Sequence, residues 1–228
     1  MTRHPARWRG VAAVVVLLLG ACAGEPRRPP PANYVVRAGD TLYSISWRHG
    51  LDYRDVARWN GIGADYRIDV GQLLVLSPAA RPAAAAAAAR PRPAPAPAPL
   101  PVSAPPHWSW PADGAVLGAV STPSGGVGLQ IDGALGSPVR AAAAGRVVYT
   151  GAGLRAYGQL VIIKHDDTWL SAYGYNRELL VHEGDNVREG QPIAAMGAGP
   201  GAGHPPMLYF EIRVNGRPVD PRTQLPGR

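Results

Sequence analysis

Leu208-Tyr209-Phe210-Glu211-Ile212-Arg213-Val214 is the stretch that decides the fold. It is short, rich in aromatic and β-branched residues, and reads as a strand whose neighbouring side chains leave on opposite faces. Moving back along the chain, similar short apolar runs recur at Ile193 to Met196, Trp169 to Gly174, Leu160 to Lys164, Arg146 to Thr150 and Val139 to Ala142, with glycines between them. This spacing predicts an all-β domain built of hairpins, over residues 107–228, and argues against alternating strands and helices.

Ahead of that domain, residues 79–106 are of low complexity, with a seven-alanine run followed by alternating Pro and Ala from Pro91 to Pro99. The alternating part predicts polyproline II, and at about 3.1 Å per residue the segment spans up to roughly 85 Å; a helical alanine run would shorten it. Residues 34–78 are compact again. They read as a strand Tyr34-Val35-Val36, helices over Thr41 to Arg48 and Tyr53 to Trp59, and a closing strand Leu73 to Leu76, with Thr41 and Asp52 as helix caps. With 25 Pro and 28 Gly in 228 residues, two small domains and a linker fit better than one continuous core.

The formal charge of +7 includes Arg3, Arg7 and Arg9 near the start; without them the excess falls to +4. The arginines are scattered and many lie in the linker, so nucleic-acid binding, which needs a basic stripe interleaved with aromatics, is excluded. The first residues have the parts of an export signal: a basic start, an apolar run from Val11 to Leu19 and small residues at Gly20 and Ala21. That run is too short for a permanent span. Cys22, the single cysteine, follows at once and has no thiol to pair with. Leu19-Gly20-Ala21-Cys22 resembles the bacterial lipobox, which implies a leader over 1–21 and an acylated Cys22 opening a spacer over 22–33. The alternative is a cut near Ala23 that discards the cysteine. Several acyl chains make a stable membrane anchor, where a single one is marginal. Ala23 after the cysteine, by resemblance to lipoproteins of two-membrane bacteria, implies the outer membrane, facing the periplasm.

Tyr34-Val35-Val36-Arg37-Ala38-Gly39-Asp40-Thr41-Leu42, then Ile45, Asn60 and Val70-Gly71-Gln72-Leu73-Leu74-Val75, resembles a LysM domain along its whole length. The resemblance implies a small α+β fold, βααβ, that binds N-acetylglucosamine-containing glycans between two loops. Here those loops carry Gly39, Asp40, Thr41 and Leu42 on one side and Tyr66 and Ile68 on the other. Sugar recognition needs amides and hydroxyls for the acetamido group and an apolar wall for the ring, and Thr41, Leu42, Tyr66 and Ile68 are the candidates for the last two. The same residues also suit a turn and a helix cap.

Trp110-Pro111, Gly136-Ser137-Pro138-Val139, Gly145-x-Val147, Tyr157-Gly158, Val161-x-Ile163-x-His165, Gly184-Asp185-x-Val187-x-x-Gly190-Gln191 and Phe210-Glu211-Ile212-Arg213 together resemble the LytM or lysostaphin-type zinc endopeptidases. Active members of that family bind zinc through a histidine, an aspartate four residues on, and the second histidine of His-x-His; its first histidine and one in Tyr-x-His assist. Counting from Gly136 and Phe210, these positions hold Gly126, Gln130, Met207 and Tyr209, and the Tyr-x-His segment reads Tyr173-Gly174-Tyr175. Glycine has no ligand atom, glutamine and methionine are poor zinc ligands, and tyrosine would have to ionise, so no metal, cofactor or catalytic residue is expected. Among nearby residues, His204 is out of phase with positions 207 and 209, Asp132 has no histidine beside it, and His165 and His182 fall outside the metal set. The Gly184 to Gln191 turn is also similar to lipoyl and biotinyl carrier domains, which modify a lysine at a hairpin tip; Lys164, inside an expected strand, does not suit that role.

Lipobox, LysM, Pro/Ala linker and degenerate LytM domain in this order resemble the NlpD/EnvC type of amidase activator. That resemblance implies peptidoglycan and a zinc-dependent N-acetylmuramoyl-L-alanine amidase as partners, with the vacated cleft holding the amidase during septal splitting. The expected partner groove comprises Gln130, Arg155, Tyr173, Tyr175, Met207 and Tyr209, apolar and aromatic enough for a helix or loop. The same aromatics would also fill an old cavity. A passive wall tether and a residual endopeptidase are the competing readings.

Overall fold

The computed structural model describes residues 30–77, 103–122, 125–201 and 203–227. The expected leader, Cys22 and all but the end of the expected linker lie outside these residues.

The first unit is a two-stranded antiparallel sheet with two helices between its strands: β1 (Asn33–Val35), α1 (Leu42–His49), α2 (Tyr53–Asn60) and β2 (Leu73–Val75), with Tyr34 opposite Leu74. Thr41 starts α1 with a reciprocal cap. Its hydroxyl accepts from the Ser44 amide at 3.1 Å, and the Ser44 hydroxyl accepts from the Thr41 amide at 3.0 Å, so serine does what Glu or Gln more often does in this motif. Asp52 caps α2 through the Arg54 amide at 2.8 Å. Asn60 does more than end the helix. Its amide nitrogen donates to Val56 O and Val75 O, and its oxygen accepts from the Val75 amide at 2.7 Å, tying α2 to β2.

The second unit is an antiparallel sheet of β3 (Val116–Ser121), β4 (Val127–Asp132), β5 (Pro138–Arg140), β6 (Gly145–Gly151), β7 (Gln159–Lys164), β8 (Trp169–Leu179), β9 (Asn186–Val187), β10 (Pro192–Met196), β11 (Met207–Val214) and β12 (Arg217–Val219). The main path runs β3-β4-β11-β8-β7-β6-β9, while β10 joins β5 to the far end of β8 and β12 lines the edge of β11. The glycine-punctuated runs are all strands, but β3, β9 and β12 lack the apolar alternation that would have announced them, while β4 carries it in Val127, Leu129 and Ile131. Packing starts ahead of His107, since Trp169 Nε1 donates to Ser103 O at 3.0 Å.

β11 sorts its side chains by parity. Leu208, Phe210 and Ile212 enter one core with Trp108, Leu129, Ile131 and Tyr173. Tyr209, Glu211 and Arg213 leave on the other face, and there the helical unit is packed. Leu42, Ile45, Trp47 and Val56 share one apolar cluster with Tyr157, Leu160, Ile162, Leu170 and Tyr209.

Candidate glycan cleft and partner groove

Four of the six residues expected to hold glycan line one cleft of about 600 Å³: Asp40, Thr41, Tyr66 and Ile68. Gly39 is exposed on the turn beside it, with φ 79, a conformation that suits glycine. Leu42 does not reach the cleft. It is 0% exposed in the helical core, so it cannot wall a sugar ring, and the expectation for this residue is corrected. Asp40 is engaged in holding the loop: its carboxylate accepts from the Tyr34 hydroxyl at 2.7 Å and the Arg37 amide at 2.9 Å, with Arg48 at 3.4 Å. The cleft's other wall is the β domain, through Arg146, Lys164 and Glu183. The sequence held no sign of this, because a wall contributed by a separate domain leaves no local pattern.

The groove expected from the peptidase resemblance is only partly assembled. Gln130 and Tyr209 face each other across β4 and β11, and Met207 faces Asp132 further along. Tyr175 reaches Tyr209 edge-on, with ring centroids 5.7 Å apart, and Tyr157, not singled out from sequence, does so at 5.2 Å. Arg155 is exposed on the adjacent 3-10 turn, at the rim.

Tyr173 is not in the groove, contrary to expectation. Its ring is fully buried in the opposite core, 5.3 Å from Phe210, and its hydroxyl accepts from the Ala142 amide at 2.8 Å. Two residues apart on a strand should mean the same face. Tyr175, however, sits at φ 62, in the left-handed region, and this local break turns its side chain to the face opposite Tyr173.

Of the side chains at the counted positions, Tyr209 is held by neighbours on its own face of β11. The Tyr209 hydroxyl donates to Glu211 at 2.5 Å, and Glu211 is paired with Arg213 at 2.6 Å, both charges essentially inaccessible. Burial, with the Glu211 charge next, drives the Tyr209 phenol well above its usual range, so it is a neutral donor and not a phenolate ligand. At Gly126 a Cβ would lie 2.2 Å from that of Pro218, leaving no room for a ligand side chain in this backbone. His204 is exposed in the loop before β11. Among the described residues no group of three or more His, Cys, Asp or Glu is placed to hold a metal. The residues present do not fit a catalytic zinc. Glu211 and Arg213 were legible as groove residues: they share parity with Tyr209 in the quoted Phe-Glu-Ile-Arg stretch.

Two domain families match the chain, Peptidase family M23 over residues 124–221 and the LysM domain over residues 34–77. The chain is thus a LysM protein with an M23-type β domain. It is 41% identical to the "Lipoprotein NlpD/LppB homolog" of Pseudomonas aeruginosa, with 95% of this chain and 91% of that protein covered. The "Uncharacterized lipoprotein YgeR" of Escherichia coli K12 is 37% identical, over 93% and 90% of the two chains. The "Murein hydrolase activator NlpD" of the same organism is 33% identical, over 86% of this chain and 68% of its own. The chain belongs to the NlpD/LppB family of lipoproteins.

Proposed function

We propose that this protein is a non-catalytic activator of a periplasmic N-acetylmuramoyl-L-alanine amidase, binding peptidoglycan through residues 34–78 and the amidase through the β domain to promote septal wall splitting. Cys22 is its acylated first residue and the outer membrane its anchor. The observation that carries the reading is the Tyr209–Glu211–Arg213 chain. The peptidase-type sheet is retained, and Tyr209, at one of the expected ligand positions, is a neutral donor tied to the buried Glu211–Arg213 pair, which suits a surface for binding and not for zinc chemistry. The relatives named murein hydrolase activators support it.

The test is dye release from labelled sacculi by the purified protein, by a cognate amidase, and by both together. Release is expected only from amidase, and rises when the protein is added. The rise should survive prior chelation of the protein, and should drop about tenfold or more in Arg155→Glu or Tyr209→Asp at the rim and floor of the groove. Release by the protein alone would overturn the non-catalytic reading, and no effect on the amidase would leave a passive tether.

A further inference from the structure

The groove face that the proposed function needs is already occupied, by the protein's own LysM domain. Trp47, in the last turn of α1, lies flat over Arg213, whose guanidinium carbon is 3.6 Å from the ring centroid. Arg213 Nη1 also donates to the Trp47 carbonyl at 2.8 Å. A guanidinium is thereby stacked on an aromatic face and set against the carbonyl end of a helix, two arrangements that favour a cation. Around this centre Arg54 hydrogen-bonds Asn215 in the β11–β12 turn, and the Tyr53 hydroxyl donates to Asp167 O at 3.3 Å. Gly216 passes so near Leu51 that a Cβ would stand 2.5 Å from its carbonyl oxygen. Tyr209, beside Arg213, is left 3% exposed and Trp47 2%.

Helix α1 also holds buried polar atoms without a partner. Among the described residues, Ser46 Oγ and His49 Nε2, both on α1, have no hydrogen-bond partner. Water satisfies whichever of them undocking exposes. Residues 78–102 join the two units, and a chain of that length spans up to about 80 Å when extended, enough for release without unfolding either unit.

We infer that the LysM domain is an internal occupant of the amidase groove, and that the docked form is the resting form of the activator. This deepens the proposed function and rests on it. The partner that displaces it carries a short helix of the same chemistry as α1, presenting an aromatic ring to Arg213 and the carbonyls of its last turn to the guanidinium. Tethering keeps the competing LysM helix at high effective concentration, so the amidase meets a lowered apparent affinity, reduced by the fraction of open molecules. Glycan capture or an envelope partner that holds LysM away would raise it.

The experiment titrates full-length protein, extracted with its anchor into detergent, against a cognate amidase, and compares it with Trp47→Ala and Asn215→Gly. The second variant removes the Arg54 contact from the β-domain side, and glycine accepts the φ of 49 found there, so LysM itself is untouched. Trp47→Ala should bind amidase about tenfold more tightly and Asn215→Gly a few-fold more tightly, both with faster amide exchange over residues 207–216. Sacculus binding should persist in Asn215→Gly, showing an intact LysM domain. If Asn215→Gly shows the faster exchange but binds amidase no more tightly than wild type, LysM does not compete and the inference fails while the activator reading stands. If no form binds amidase, including those with faster exchange, the activator reading fails and takes this inference with it.

Discussion

The two faces of β11 are made from one seven-residue alternation and behave as different materials. On the odd-numbered face stand Tyr209, Glu211 and Arg213, a polar chain whose cover is another domain; on the even-numbered face stand Leu208, Phe210 and Ile212, closed over by the β domain's own aliphatic and aromatic side chains. The first face therefore reports on docking of the helical unit. The second reports on whether the domain folds at all.

The hardest blow to that comparison is Phe210→Ala. Phe210 is 0% exposed, and emptying its site should cost about 3–5 kcal/mol of β-domain stability, read as a lowered denaturant midpoint with unchanged slope. A loss under about 1 kcal/mol would mean that this face is not the core it resembles. Next comes Tyr173→Phe. It removes the acceptor of the buried Ala142 amide and should cost about 1–3 kcal/mol, yet leave amidase activation at wild-type level under conditions where the protein stays folded. Lost activation in a folded Tyr173→Phe protein would return this residue to the groove.

The same core-side network predicts a pH dependence. His165 Nδ1 lies 2.7 Å from Ala144 O, its Nε2 2.8 Å from the Ser171 hydroxyl, and Ser171 in turn contacts the Tyr173 hydroxyl at 2.8 Å. Burial, ahead of all else, depresses its pKa from 6.5 to about 4. The unfolded chain binds this proton more readily than the folded one, so the stabilisation is complete above pH 6.5 and is lost progressively as pH falls from 6.5 towards 4. Urea midpoints measured across that window should fall in the wild type and fall less in His165→Gln. Equal slopes in the two would sink the assignment. The smallest effect belongs to the helical unit, where Thr41→Ala breaks the reciprocal cap and should cost about 1 kcal/mol, seen as a modest lowering of the LysM melting temperature.

The LysM unit was legible almost to the residue because its signals are local. A cap, a left-handed glycine after each helix and an asparagine bridging helix to strand all act within a few positions of each other, and the chain between Asn33 and Val75 follows them. The β domain was legible as a family of strands, and the parity of β11 already separated Tyr209 from Phe210. Leu42 misled because the Gly-Asp-Thr-Leu stretch reads equally as glycan loop and as helix start, and burial at the first helical position settled it.

What the sequence alone determined is therefore the identity and order of the two units and the helix caps. Only the tertiary structure decided which face Tyr173 takes, that the cleft beside Thr41 and Tyr66 borrows Arg146, Lys164 and Glu183 from the other domain, and that Trp47 lies on Arg213. The physical reason is range. Propensities and periodicity act over a few residues, whereas a single left-handed residue at Tyr175 reverses a strand's parity, and a contact between residues 47 and 213 depends on shape and burial that no local pattern encodes.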